Sequence, residues 1–291
     1  MLSISSILNS PYIKITRPAG WVKSFFVVAP LFFAIKYDSL TDWINILVAV
    51  LAFLAAACSV YVFNDIKDVE EDKKHPVKSK RPIASGEITV RNATMLVVGL
   101  IFTSFTLCMF LPIGCLFIVI SYLLLNAFYS LYIRNYSVID VVVLACFYLQ
   151  RVLMGCLAID VPATQWIMLA TFFLALTIGF AKRYSEFNIT GYASSKKNLQ
   201  GYNKLLVTCL LGICVSASLM TYAIYIAEKQ HDNSHNFLTY SIIFVAAGLF
   251  RFLQLVLHDG KGGEPEKIFI QDSVLRHIGI AWFVYTIWAI S

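Results

Sequence analysis

Asn64, Asp65, Asp68 and Asp72 are the residues of this chain whose types and spacing most plainly allow chemistry. Positions 64, 68 and 72 are four apart, and Asp65 lies three before Asp68. On a continuous helix all four project towards one side. Carboxylates so arranged repel one another unless a cation lies among them. Oxygen-only ligands suit Mg²⁺, with Mn²⁺ an acceptable substitute, and Mg²⁺ is commonly shared between carboxylates and a substrate's phosphates. The competing reading is a solvated helix end, since Lys67, Glu70, Glu71, Lys73 and Lys74 intersperse the acids.

The elements that must position these acids are apolar. Of 291 residues, 59% are hydrophobic and 14% charged, too few charges to cover a soluble domain of this size. The expected fold is all-α: a polytopic transmembrane helical bundle of nine spans in one integral-membrane domain, residues 1–291. The spans are expected near Trp21–Ile35, Trp43–Phe63, Met95–Leu111, Ile113–Ile133, Val138–Ile159, Trp166–Ala181, Leu205–Ala227, Phe237–Leu257 and Val274–Ile290. No cleaved leader is expected, because the N-terminus lacks the basic, apolar and small-residue order of one. The seven cysteines form no CxxC pair, so neither a disulfide framework nor a zinc site is indicated.

Nine spans put the N-terminus and every second loop on one side. Nineteen of the 23 Lys and Arg residues then fall there; Lys36 and Lys229 lie opposite, and Arg151 and Arg251 lie inside spans. That asymmetry makes the acidic motif cytoplasmic, on a protein of the cytoplasmic (inner) membrane. Membrane lipids surround such a chain, and no nucleic-acid partner is expected. Small residues in many spans leave room for a homo-oligomer, although no dominant GxxxG seam stands out.

The stretch "NDIKDVEEDKKHPVKSKRPIASG" at 64–86 resembles the first signature of the UbiA superfamily of intramembrane prenyltransferases, NDxxDxxxD followed by HPxKxxRPIAxG. The resemblance implies a helical bundle around a cavity, with Asn64, Asp65, Asp68 and Asp72 as metal or diphosphate ligands. It also places Lys78, Lys80 and Arg81 near the anion. Where the superfamily commonly carries a second Asp-rich motif, this chain has "GFAKRYSEFN", with Lys182, Arg183 and Glu186. Glu186 is four residues from Lys182 and three from Arg183, so a local ion pair at a positive helix end is the plainer reading. In a site expected to hold diphosphate, two cations imply a donor with more anion to neutralise.

One branch of the superfamily, the decaprenyl-phosphate phosphoribosyltransferases, shares that change, and the chain resembles it over nearly its full length. "RPAGWVKS" at 17–24, containing Arg17 and Lys23, is similar to its RPxQWxKN opening, with Ala19, Gly20 and Ser24 as the local departures or variable positions. "FYSLYIRNYSVIDVVVLACFYLQR" at 128–151 is similar to its span 4–5 signature, with Arg134 replacing the more usual Lys and with Asp140 and Arg151 retained. "FRFLQLVLHDGKGGEPEKIFIQD" at 250–272 is similar to its GGxPE loop.

The resemblance implies transfer of 5-phosphoribose from 5-phosphoribosyl 1-diphosphate (PRPP) to a polyprenyl phosphate, in supply of cell-wall arabinose. Asp65, Asp68 and Asp72 would act through Mg²⁺ on the leaving pyrophosphate. Lys182 and Arg183 would bind the 5-phosphate, and Lys23 and Arg134 phosphate near the membrane boundary. Glu186 would orient those cations or accept a ribose hydroxyl. Arg17, Asn64, Lys78, Arg81 and Asp140 complete the substrate-binding set. Arg151, a charge inside a span, carries a site role or belongs to a polar seam with Gln150. The glycine-rich loop 258–272 is either a connector or a lid whose Glu266 or Asp272 reaches the sugar. Two other functions compete. A prenyltransferase acting on an aromatic ring shares the first motif but leaves Lys182 and Arg183 unexplained. A transporter or lipid-binding scaffold would place polar groups near mid-membrane rather than on one face.

Overall fold

The structure, a computed structural model, describes residues 10–34, 36, 38–190, 197–231, 236–263, 268–269 and 271–290. Among these no β-strand occurs. The α-helices are α1 (Pro11–Lys14), α2 (Ala29–Phe33), α3 (Leu40–Lys67), α4 (Val69–Lys73), α5 (Val90–Cys108), α6 (Ile113–Phe128), α7 (Ile139–Ala158), α8 (Gln165–Thr190), α9 (Lys197–Gln200), α10 (Lys204–His231), α11 (Ser241–Leu257) and α12 (Ser273–Ile290). Helix α6 runs on through a π-helical turn, Tyr129–Ile133.

Seven of the described helical segments are long and apolar enough to cross a bilayer: Leu40–Lys67, Val90–Cys108, Ile113–Ile133, Ile139–Ala158, Gln165–Asn188, Lys204–Glu228 and Phe237–Leu257. The protein is an integral membrane protein with a helical fold. The expected spans from Trp43 to Leu257 coincide with these seven. The first predicted span is not a continuous α-helix; a 3₁₀ helix covers Pro18–Val27 and α2 follows it. Prolines 18 and 30 stand at the start of these two pieces, where a preset φ and a missing N–H are tolerated. The last expected span, Val274–Ile290, is helical as α12, which carries Arg276 and His277 among its first five residues.

The chain divides into two compact units, residues 1–131 with 150–163, and residues 132–149 with 164–291. The boundaries fall in the π-helical turn, within α7 and in the connection before α8, so neither unit is one contiguous piece of sequence.

In the first unit α3 packs against α5. Helix α3 is rich in alanine, with Ala49, Ala52, Ala55, Ala56 and Ala57 all buried. Small side chains let helix backbones approach, which is how helices associate where lipid is as apolar as the side chains. Ser104 Oγ donates to the Ala52 carbonyl at 2.7 Å across that contact. Gly155 lies against the Val27 carbonyl, where a Cβ would sit 2.0 Å from the oxygen. At the end of α3, buried Ile15, Val62, Ile83, Ile88 and Ala93 form a cluster with Ile66 and Val69 packed on it. This cluster anchors the segment after α4 to the end of α3. The turn back is made at Gly86, whose φ of +85° suits glycine.

In the second unit α8 packs on α10, and α11 on α12. Tyr222, Ile226, Leu238 and Ala289 form an apolar cluster there. Trp282 Nε1 donates to the Tyr222 hydroxyl at 2.9 Å, which is itself 2.9 Å from Ser241 Oγ. A half-buried indole and a buried phenol thus find partners.

Candidate active site

Helix α3 stops at Lys67, yet the line of acids is not broken. Asp68 N donates to the Asn64 carbonyl at 2.9 Å and Asp72 N to the Asp68 carbonyl at 2.8 Å, carrying the four-residue pattern into α4. Asp65 and Asp72, seven apart, therefore meet the same partner. Arg81 Nη1 donates to Asp65 Oδ1 at 3.0 Å and to Asp72 Oδ2 at 2.6 Å. Arg17 donates to the same Asp65 oxygen, and Lys78 Nζ lies 3.6 Å from Asp72 Oδ1. The two acids are buried, at 3% and 2% exposure, whereas Arg17 and Arg81 reach solvent. Arg17 is held with φ of +54° and its guanidinium lies 5.4 Å from the centre of the Tyr61 ring. Asp68 is half-buried beside them in sequence.

Asn64 faces a different neighbour. Lys67 Nζ donates to the Ser130 carbonyl at 2.8 Å and approaches Ser130 Oγ at 3.4 Å. An ammonium can only donate, so the Ser130 hydroxyl turns its own proton to Asn64 Oδ1, at 3.1 Å. Ser130 belongs to the π-helical turn, and such turns frequently occur at functional sites. The structure thus brings Asp65, Asp72, Arg17, Lys78 and Arg81 together and turns the Asn64 side chain towards Ser130. Nothing in the sequence pattern signals Ser130.

Among the described residues no three His, Cys, Asp or Glu side chains converge as a ready metal cage. The Arg81 guanidinium occupies the space between two buried carboxylates, and a positive group is what that pair demands. Acidic oxygen donors are also the chemistry Mg²⁺ selects. The residues present fit a divalent cation at Asp65, Asp68 and Asp72, two of which Arg81 bridges.

In the second unit the end of α8 carries Lys182, Arg183 and Glu186. Lys182 is exposed, whereas Arg183 is buried. Arg183 Nη2 lies 2.8 Å from Asp140 Oδ2 and Nη1 2.5 Å from Glu186 Oε2. Asp140 is fully buried. The expected Glu186–Arg183 pair is present, and Asp140, 43 positions upstream of Arg183, is its second carboxylate. Tyr202, which no motif indicated, donates to Asp140 Oδ1 at 3.3 Å and accepts from the Val138 amide at 2.6 Å.

The glycine-rich loop packs on the same turn of α8. Ser185 Oγ donates to the Gly260 carbonyl at 2.9 Å. A Cβ on Gly262 would come within 2.5 Å of the Ala181 carbonyl, so only glycine fits there without a shift. Glu266 lies outside the described residues. Asp272 is committed to structure: it accepts from Arg251 Nη2 at 2.7 Å and from the Leu275 amide at 2.8 Å, capping α12.

Of the other candidates, Arg151 is buried in the first unit, its guanidinium 4.9 Å from the centre of the Phe53 ring and 5.6 Å from that of Tyr122. Aromatic faces are an effective way to hold a desolvated cation. Lys23 and Arg134 are half-buried, Lys23 in the 3₁₀ helix and Arg134 just after the π-helical turn.

The chain is 29% identical over 277 residues to the decaprenyl-phosphate phosphoribosyltransferase of Mycobacterium tuberculosis, covering 93% of this chain and 91% of that one. It is 30% identical to the enzyme of the same name from Corynebacterium glutamicum, covering 96% and 86%. In fold it is similar to a UbiA homologue from Archaeoglobus fulgidus whose structure holds DMAPP and Mg²⁺, with a TM-score of 0.71, 17% identity, and 96% and 98% of the two chains covered. A digeranylgeranylglyceryl phosphate synthase structure gives a TM-score of 0.66, also at 17% identity and over the same shares of the two chains. Residues 24–271 match the UbiA prenyltransferase family, and the chain belongs to it.

Proposed function

We propose that this UbiA-family transferase moves 5-phosphoribose from PRPP to a polyprenyl phosphate, releasing pyrophosphate. The observation that carries this reading is the cationic turn at 182–183, where the superfamily commonly has acids, with Arg183 braced by buried Asp140 and Glu186. The relatives of matching length carry the corresponding name.

In this reaction an oxygen of the lipid phosphate forms a bond to ribose C1 while the bond from C1 to the pyrophosphate oxygen breaks. The pyrophosphate departs with the electron pair. A phosphate monoester has a second pKa of about 6, so the nucleophile arrives ionised and needs no strong base. A divalent cation at Asp65, Asp68 and Asp72 would neutralise charge on the departing pyrophosphate. Arg17, Lys78 and Arg81 add donors for its oxygens, each now turned to an acid that the cation would take over. Lys182 reads the 5-phosphate. Arg183 is flanked by two carboxylates that balance its charge, so its part is to present donors in a fixed direction more than to supply net charge. Lys23 and Arg134 bind phosphate near the membrane boundary, and the product serves as a cell-wall arabinose precursor.

Incubation of purified protein with labelled PRPP, Mg²⁺ and polyprenyl phosphate tests this. Labelled lipid is the expected product, with no transfer from a polyprenyl diphosphate to 4-hydroxybenzoate; the reverse pattern rejects the proposal. Lys182→Ala should raise KM for PRPP by roughly 10- to 150-fold, the worth of a charge-assisted hydrogen bond. A ribose 1-diphosphate without the 5-phosphate should be a poor donor that the mutation leaves unchanged. Equal damage to both donors would show that Lys182 does not read the 5-phosphate.

We further place this chemistry on the cytoplasmic face of the inner membrane, on the strength of the Lys/Arg asymmetry. With the seven native cysteines replaced by alanine, a Ser79→Cys variant should resist a membrane-impermeant maleimide in intact cells and react once they are opened. Labelling from outside would invert the topology.

A further inference from the structure

Tyr202 lies in the connection before α10, two residues from the start of that helix, and its side chain is 2% exposed. It is a large aromatic side chain buried from a short polar loop, "LQGYNK", where hydropathy gives no reason for it. Its hydroxyl accepts from the Val138 amide at 2.6 Å and donates to Asp140 Oδ1 at 3.3 Å. Burial, with the charge of Asp140 adding, pushes the phenol above its ordinary pKa, so it stays protonated and keeps donating.

The segment it grips is strained. Val138 has a φ of +68°, a conformation that a β-branched side chain rarely adopts. Such backbone persists only where its surroundings over-determine it, and it clusters at functional sites. Here the surroundings are Tyr202 and Gly201 together. A Cβ on Gly201 would lie 2.2 Å from Ser137 Oγ, so the two chain segments are pressed against one another at adjacent residues. The strained corner opens α7 and sets the direction of Asp140, whose other oxygen binds Arg183, which in turn binds Glu186.

We infer that Tyr202 is a positioning residue for donor binding: with Gly201 it locks the 137–140 corner, aims Asp140, and thereby fixes the guanidinium of Arg183 between Asp140 and Glu186. The inference rests on the proposed function for the identity of the donor and deepens it.

Tyr202→Phe removes one hydroxyl and retains the ring. In the full-length protein with PRPP and polyprenyl phosphate it should raise KM for PRPP about tenfold, the effect of losing one buried hydrogen bond, while KM for the lipid stays within about twofold. Because loss of the Val138 partner also loosens the corner, hydrogen exchange at residues 137–142 should quicken. In an Arg183→Lys background, where the two-carboxylate fork is gone, Tyr202→Phe should add less than about twofold. Gly201→Ala, which presses on the corner from its other side, should reproduce the selective rise for PRPP. The inference is overturned if Tyr202→Phe leaves both KM values unchanged, moves them equally, or multiplies fully with Arg183→Lys. A wild-type protein that does not use PRPP would reject the donor assignment instead. The grip of Tyr202 on the corner would then stand or fall on the hydrogen-exchange difference.

Discussion

Asp65→Asn lowers turnover by about 10³-fold, on expectation, and leaves the protein folded. The substitution keeps the side chain's shape and one oxygen but removes the charge. Asp65 is 3% exposed and meets Arg17 and Arg81, so its charge does two things: it balances two guanidinium groups and supplies one of the anionic donors a divalent cation needs. Charge stabilisation of a departing pyrophosphate is worth several kcal/mol, and about 4 kcal/mol corresponds to roughly 10³ in rate. The fold survives because the side chains of Arg17 and Arg81 are 40% and 27% exposed, and water solvates the charge that Asp65 no longer balances. Asp68→Asn should act in the same direction. Turnover of labelled PRPP and a melting curve in detergent make the comparison. Either variant retaining more than a tenth of wild-type turnover, or wild-type turnover persisting in excess chelator, would reduce this helix face to a solvated end.

How this site was read from sequence, and how it is built, differ at definite residues. The acids at 65, 68 and 72 are legible because helical spacing alone puts them on one side. Their expected mutual repulsion was not the whole account, since Arg81 already bridges Asp65 and Asp72. That bridge depends on a turn that returns residue 81 to the end of α3, and on the apolar cluster of Val62, Ile83 and Ile88 that seats it. Neither follows from spacing.

The spans divide in the same way. Ile113–Ile133 and Phe237–Leu257 are read to the residue because apolar runs end sharply there. The first expected span is helical over Pro18–Phe33 but not α-helical throughout, because hydropathy reports composition and not helix type. Tyr202 left no signal at all. A lone aromatic in a polar loop has no period, and its partners Val138 and Asp140 lie more than sixty residues away.

The bridge itself gives the second large effect. Arg81→Ala should lower the melting temperature in metal-free detergent by about 4–8 °C, and added Mg²⁺ should recover much of that loss. Removing one partner from a buried ion pair costs about 3–5 kcal/mol, because the other charge is left without compensation. Here Arg17 still meets Asp65, Lys78 is still 3.6 Å from Asp72, and the Arg81 side chain is 27% exposed. Those three facts reduce the expected cost to about 2 kcal/mol, and in a chain of this size each kcal/mol moves the melting temperature by about 2–4 °C. A cation that binds only the folded protein stabilises it in proportion to its affinity. In the wild type that cation must displace a guanidinium from between Asp65 and Asp72; in Arg81→Ala it meets two carboxylates with one counter-charge fewer. Mg²⁺ should therefore raise the melting temperature more in the variant than in the wild type, even though the variant has lost a donor for the pyrophosphate and turns over slowly. Arg81→Lys keeps one charge but not the two-oxygen reach, and should fall between them. If Mg²⁺ raises all three equally, or if Arg81→Ala melts with the wild type in chelator, Arg81 is not the counter-ion that holds these two acids in place of a metal.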